Sequence, residues 1–157
     1  GAQENDFNYY KGCILQAMGR DAEAQSLFLK ASMGDSQPVA AMYYNDQKPD
    51  KIFYQGLAFL KLGDEENARS RFNRLIDFGE RHLFDRFKMD YFAVSLPDLQ
   101  IWEDDMNKKN RVHCNYLMGL GHLGLGNMAK AKSYFDTAFH LDNNHQGVQI
   151  HNNMINK

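Results

Sequence analysis

The sequence contains little that could form a disulfide framework or hold a metal ion. It has two cysteines, Cys13 and Cys114, and neither belongs to a CxxC or Cys/His arrangement. Because both lie in apolar helical patterns, we expect buried free thiols, which are typical of a reducing compartment. Of the six histidines, His140, His145 and His151 are five and six residues apart and would not share a helix face. We therefore predict no metal site and no cofactor.

The sequence also lacks a basic stripe, a long apolar run and a catalytic motif. The net charge is −2, and the arginines between Arg69 and Arg86 alternate with acidic residues, so nucleic-acid binding is not expected. No run of 18 apolar residues occurs, so we predict no membrane span and a cytoplasmic location. The adjacent acids Glu103, Asp104 and Asp105 project in different directions, which favours a solvated helix end over an acid/base pair. No enzymatic activity and no catalytic residue is predicted.

One spacing of small and aromatic residues occurs three times along the chain. In each copy a glycine is followed by a second glycine seven residues on. An alanine, a phenylalanine and an alanine or leucine then follow at steps of five, four and three. The copies are Gly12, Gly19, Ala24, Phe28 and Ala31; Gly56, Gly63, Ala68, Phe72 and Leu75; and Gly119, Gly126, Ala131, Phe135 and Ala138.

Each position in this pattern has a physical reason. The first glycine has no Cβ, so a second helix can approach it closely. The second glycine ends a helix, since Gly63-Asp64 and Gly126-Asn127 join a C-terminal stop to an N-terminal cap. The alanine and the phenylalanine lie on one face of the next helix, where the ring fills the space beside the crossing point. The pattern therefore predicts three helix hairpins that stack to complete a shared core.

This pattern resembles the tetratricopeptide repeat, whose small, glycine, alanine, aromatic and alanine positions match these residues one for one. The resemblance implies an all-α, right-handed helical solenoid that forms a single domain. Its hairpins are expected over residues 6–34, 50–78 and 112–141. Residues 146–155 are predicted to form a C-terminal capping helix.

Two insertions are predicted because the copies are too far apart for a regular array. They begin 44 and 63 residues apart, whereas the tetratricopeptide period is about 34 residues. The insertions are placed at 35–49 and 79–111. Within the second one, the preceding helix is expected to run to about Lys88, a short helix to cover 99–105, and a polar bend to cover 107–110.

In tetratricopeptide arrays the first helix of each hairpin lines the concave surface. The resemblance therefore implies an aromatic and apolar groove for a protein or peptide, or for another domain of the same polypeptide. Insertions in solenoids often contribute to binding, but they or the terminal helix could instead cover part of this groove. The predicted partner-binding residues are Tyr9, Gln16, Tyr43, Tyr44, Phe53, Tyr54, Lys61, Tyr91, Trp102, His113 and Tyr116.

A narrower resemblance leads to an alternative function. Residues 43–47 and 91–98, with the later pair His113-Cys114, are similar to the C-terminal repeat region of large bacterial proteins of unknown function, whose N-terminal part is a carbohydrate-related β-sandwich. This implies an accessory module that contacts sugars. Gly1 is typical of the residue that tag cleavage leaves, so we expect an N-terminal part of the native polypeptide to be absent. Self-association through the open ends of the solenoid is a further possibility.

Overall fold

The computed structural model describes residues 4–40, 48–86 and 99–155, with the backbone alone described for 99–105. Within these ranges all regular secondary structure is helical. The helices pair in chain order as three hairpins, α1 with α2, α3 with α4 and α5 with α6, which confirms the predicted all-α fold class. The seven helices are α1 (Asn5–Ala17), α2 (Asp21–Ser32), α3 (Asp50–Lys61), α4 (Glu65–His82), α5 (Leu99–Gly124), α6 (Met128–Leu141) and α7 (Gln146–Asn152).

The turn inside each hairpin is built on a glycine with a left-handed backbone. Gly63 has a φ of 79°, which an L side chain rarely adopts. Its N–H donates to the Leu60 carbonyl at 3.1 Å, and the next N–H, of Asp64, donates to the Phe59 carbonyl at 2.9 Å. The Asp64 carboxylate then accepts the Asn67 N–H at 3.0 Å and caps α4. The second glycines of the other two hairpins have the same backbone conformation.

The first glycine of each copy lies against the phenylalanine ring of the same hairpin. A Cβ added at Gly56 would lie 2.6 Å from Cζ of Phe72, well inside van der Waals contact. The absent side chain therefore sets how closely the two helices approach, as the spacing predicted. The three pairs are Gly12 with Phe28, Gly56 with Phe72, and Gly119 with Phe135.

Close packing continues between the second and third hairpins. Gly121 and Gly124 of α5 lie against α4, and a Cβ at Gly124 would be 2.6 Å from Cγ of Phe72. The Phe72 ring is thus held by glycines from two helices, α3 and α5. One large core cluster spans α3 to α7, whereas a smaller one, with Phe28 at its centre, joins the first hairpin to Ala58 of α3.

The second insertion differs from its prediction in two respects. α5 is one continuous helix of 26 residues, so the separate short helix predicted at 99–105 and the bend predicted at 107–110 are both wrong. The polar residues there have partners within the fold: Asn110 Nδ2 donates to the His82 carbonyl at 2.7 Å. This hydrogen bond, together with that of the Asp85 N–H, satisfies the last carbonyl of α4, which stops at His82 rather than near residue 88.

A C-terminal helix is present as α7, which ends at Asn152 rather than at the predicted residue 155, and it packs on α6 and α5. Val148 and His151 are its buried residues, and His145 caps its start by accepting the Val148 N–H at 3.1 Å. In the part of the chain that the structure describes, no helix combines the length and the hydropathy that crossing a membrane requires.

Candidate binding surface

The predicted partner-binding residues divide by burial. Four of them are interior, because Phe53, Tyr54, His113 and Tyr116 are each at most 8% exposed. Tyr9 is half-buried among the rings of Tyr10, Phe28 and Tyr54, whereas Gln16 and Lys61 are exposed and hydrogen-bonded to each other at 2.9 Å. Tyr43, Tyr44 and Tyr91 lie outside the described residues, and of Trp102 only the backbone, in α5, is described.

The start of the first insertion covers one part of the expected groove. The side-chain amide of Gln55 donates to the carbonyls of Met33 and Asp35, at 3.1 and 2.9 Å, and fixes the chain as it leaves α2. Further on, the Val39 carbonyl lies 2.8 Å from Nε2 of His113. Since a carbonyl only accepts, the proton of this imidazole is on Nε2. His113 is therefore occupied by the chain itself.

α7 covers a second part of the groove through His151. The Gly147 carbonyl, 2.7 Å from Nδ1 of His151, can only accept, so Nδ1 carries the proton. Nε2 then accepts from the Tyr54 hydroxyl at 3.2 Å, and Tyr54 is 2.9 Å from the Tyr10 hydroxyl. The Tyr116 hydroxyl lies 3.0 Å from Nδ1. One histidine of the last helix thus joins side chains of α1, α3 and α5.

Burial keeps the groups of this network uncharged. It lowers the pKa of His151, an effect that the hydrogen bond to the Gly147 carbonyl only partly offsets. It raises the pKa of both Tyr54 and Tyr116. Near neutral pH the imidazole therefore accepts through Nε2, and both hydroxyls keep their protons.

A cavity of about 540 Å³ lies beside this network, between α1, α3 and α7. Two carboxylates line it, and they differ in their partners. Asp6 forms an ion pair with Lys51, while Oδ1 of Asp50 is buried and has no hydrogen-bond partner among the described residues. The cavity is lined by Asp6, Tyr10, Lys48, Asp50, Tyr54, Tyr116, His145, Gln146, Gly147, Ile150 and His151.

Four apolar side chains, three of α1 and one of its C-cap residue, are exposed on one face, and we call them the α1 stripe. They are Phe7, Tyr10, Ile14 and Met18, with exposures of 62, 43, 61 and 63%. Their steps of three, four and four residues keep them on one side of the helix for three turns. The stripe is absent from the predicted binding residues, because those on α1 follow the inward positions of the repeat. The spacing itself was the signal that could have identified it.

Two segments of the chain match family models, and both models are described as tetratricopeptide repeat. The matched residues are 52–77, in the second hairpin, and 112–145, which contain the second half of α5 and all of α6. They bear out the resemblance that the glycine, alanine and phenylalanine spacing indicated. No solved structure matches the chain significantly. The narrower resemblance to large bacterial proteins stays a prediction.

Proposed function

Because the chain is a tetratricopeptide-repeat domain, we propose that it binds a peptide segment of a partner protein through the α1 stripe and the cavity beside it. Tetratricopeptide repeats generally mediate protein–protein interactions, and they generally act as scaffolds rather than as enzymes. A segment of a separate protein and a segment of another domain of the same polypeptide both fit the proposal.

The exposure of the α1 stripe is the observation that carries this proposal. On α3 and α5 the aromatic residues expected in the groove are covered by α7 and the first insertion. On α1 the large apolar side chains remain in contact with water, which is typical of an interaction surface. Full burial of one such side chain contributes about 1.5–3 kcal/mol. Covering the exposed parts of Phe7, Ile14 and Met18, each about 60%, would therefore stabilise a complex by about 4 kcal/mol.

The shape of the stripe favours a helical partner segment. From Phe7 to Met18 the helix rises about 16 Å, the length of three turns. An amphipathic helix with apolar residues at steps of three and four could lie along it, in the manner of a helix bound in a groove. Tyr10 belongs to both the stripe and the cavity, so a side chain of such a partner could enter the cavity beside it.

The proposal can be tested with peptides selected from a random library against the native domain. Ile14→Asp should weaken their binding at least about tenfold, because a charge would be placed in the apolar contact. Phe139→Asp is the matched control, since Phe139 is an apolar residue of α6 that is 44% exposed. Affinity is measured by fluorescence anisotropy, and circular dichroism verifies the fold of both variants.

The same peptides can be located on the domain by NMR of backbone amides. We expect the shifted resonances to belong to α1 and to the rim of the cavity. Equal binding by the Ile14→Asp variant and the native domain, or shifts confined to α6, would show that the stripe is not the binding surface.

A further inference from the structure

We propose that the cavity between α1, α3 and α7 is a subsite for an ammonium group, with Asp50 as its counter-ion. A lysine side chain of the bound segment is the occupant to which the geometry points. The inference rests on the proposed function, because it names one anchor of the peptide that the α1 stripe would bind.

The position of the cavity suits a side chain of a segment bound to the stripe. Tyr10 is 43% exposed, and its hydroxyl lies 2.9 Å from that of Tyr54 inside the cavity. A volume of about 540 Å³ is ample for a lysine side chain and some water. The tyrosine rings provide apolar walls for its methylene groups and electron-rich faces for its cation.

The charges around the cavity leave one carboxylate uncompensated. Asp6 has Lys51 as its partner, and burial lowers the pKa of His145 and of His151, so both imidazoles are uncharged near neutral pH. Asp50 has one buried oxygen without a hydrogen bond in the described ranges. An oxygen that is removed from water without a hydrogen bond is costly, and a cation that donates to it would offset that cost. This sign of charge disfavours a carboxylate or phosphate ligand.

The charge of Asp50 acts on four other residues of the lining. Burial raises the pKa of Tyr54 and Tyr116, and the negative charge of Asp50 raises both further. Burial lowers the pKa of His145 and His151, and the charge of Asp50 partly offsets that decrease. Lys48 is exposed at the rim and forms no ion pair within the described part of the chain. An ammonium group brings three donors, which can satisfy the carboxylate and a tyrosine oxygen together.

The test uses n-butylamine as the probe and n-butanol as its uncharged counterpart, titrated separately into the native domain at pH 7.5. NMR resonances of His151 and Tyr54 should shift with butylamine and reach saturation, and butanol should bind at least about tenfold more weakly. Equal effects of the two probes on the native domain would overturn the inference without any variant. A third titration uses maltose; saturable shifts with maltose instead of butylamine would assign the cavity to sugars and also overturn it.

Asp50→Asn should weaken the binding of butylamine at least about tenfold, because the amide keeps the shape of the carboxylate and removes its charge. Asp136→Asn is the control, since Asp136 is exposed on α6 and paired with Lys132. Undiminished binding of butylamine by the Asp50→Asn variant would refute the assignment.

The subsite and the stripe can fail separately. If selected peptides depend on Ile14 but bind equally to native protein and the Asp50→Asn variant, the subsite is refuted and the proposed function stands. If butylamine binding depends on Asp50 while no peptide depends on Ile14, the subsite stands and the stripe proposal fails.

Discussion

Replacement of Gly56 by alanine tests the packing of the hairpins most directly. The new methyl group would lie 2.6 Å from Cζ of Phe72, whereas carbon atoms pack at about 3.5–4.0 Å, so the ring would have to move by about 1 Å. It has little room to do so, because it is 1% exposed and Gly124 of α5 lies against it as well.

The expected magnitude combines two opposing effects. Overpacking of a tight core costs about 1–3 kcal/mol, and the confined ring argues for the upper end of that range. Alanine in place of glycine inside a helix stabilises by about 1 kcal/mol. The net loss in the free energy of unfolding should therefore be about 2 kcal/mol. With a urea m-value of about 2 kcal/mol/M, the midpoint should fall by about 1 M.

The assay is urea unfolding at a fixed pH of 8, followed by circular dichroism. Gly63→Ala is a useful comparison, because no atom lies within 4 Å of its added Cβ and only the left-handed backbone opposes it. Its cost should be about 1–2 kcal/mol. Phe72→Leu should lower the free energy of unfolding by less in the Gly56→Ala variant than in the native protein, because the smaller side chain relieves the overpacking. Its effect should simply add to that of Gly63→Ala, because those two sites do not share a contact. A Gly56→Ala variant as stable as the native protein would refute the packing argument.

Two further predictions concern titratable side chains. Burial holds the pKa of His151 below its ordinary value of 6.5, so the unfolded state takes up a proton at a higher pH than the folded state. The contribution of His151 to the free energy of unfolding should therefore be fully present above pH 6.5 and be lost as the pH drops toward the pKa of the folded state. His151→Gln should make this decline shallower in urea titrations between pH 5 and pH 8, and an unchanged slope would contradict the explanation. Cys114 is fully buried, and burial raises the pKa of its thiol to about 12, so it should react with Ellman's reagent only after unfolding. The half-buried Cys13 should react first, and labelling of both thiols at one rate in the native protein would show that Cys114 is accessible.

The features that were predictable from the sequence are those whose causes are local. A glycine followed by Asp64 or Asn127 ends one helix and caps the next within a few residues, and each Gly–Phe pair lies within one hairpin. The same reasoning failed at 107–110, where asparagines suggested a bend. The partner of Asn110 is a carbonyl 28 residues earlier in the chain, and local composition holds no signal of that contact.

The covering of the groove also depends on contacts between residues that are far apart in the chain. Tyr54 and Tyr116 were predicted as surface residues because the repeat register directs their side chains toward the concave face. The register contains no information about what covers that face. The partner of both tyrosines is His151, which is 97 and 35 residues away in the chain, respectively. The open alternative, that the first insertion or the terminal helix covers part of this surface, could be decided only from such distant contacts. The α1 stripe is different, because its periodicity was visible in the sequence.

The ring of Phe72 has a consequence for how the domain comes apart. It is at once part of the packing within the second hairpin and part of the packing between that hairpin and α5, so opening one contact also exposes a ring that the other contact buries. Helices α3 to α6 should therefore behave as one cooperative unit, whereas the first hairpin, with its own small core around Phe28, can open at a lower cost in free energy. The second and third repeats, which the longer insertion separates in the chain, are thus the two most firmly joined, and the hairpin that carries the α1 stripe is the one with the most freedom to adapt to a partner.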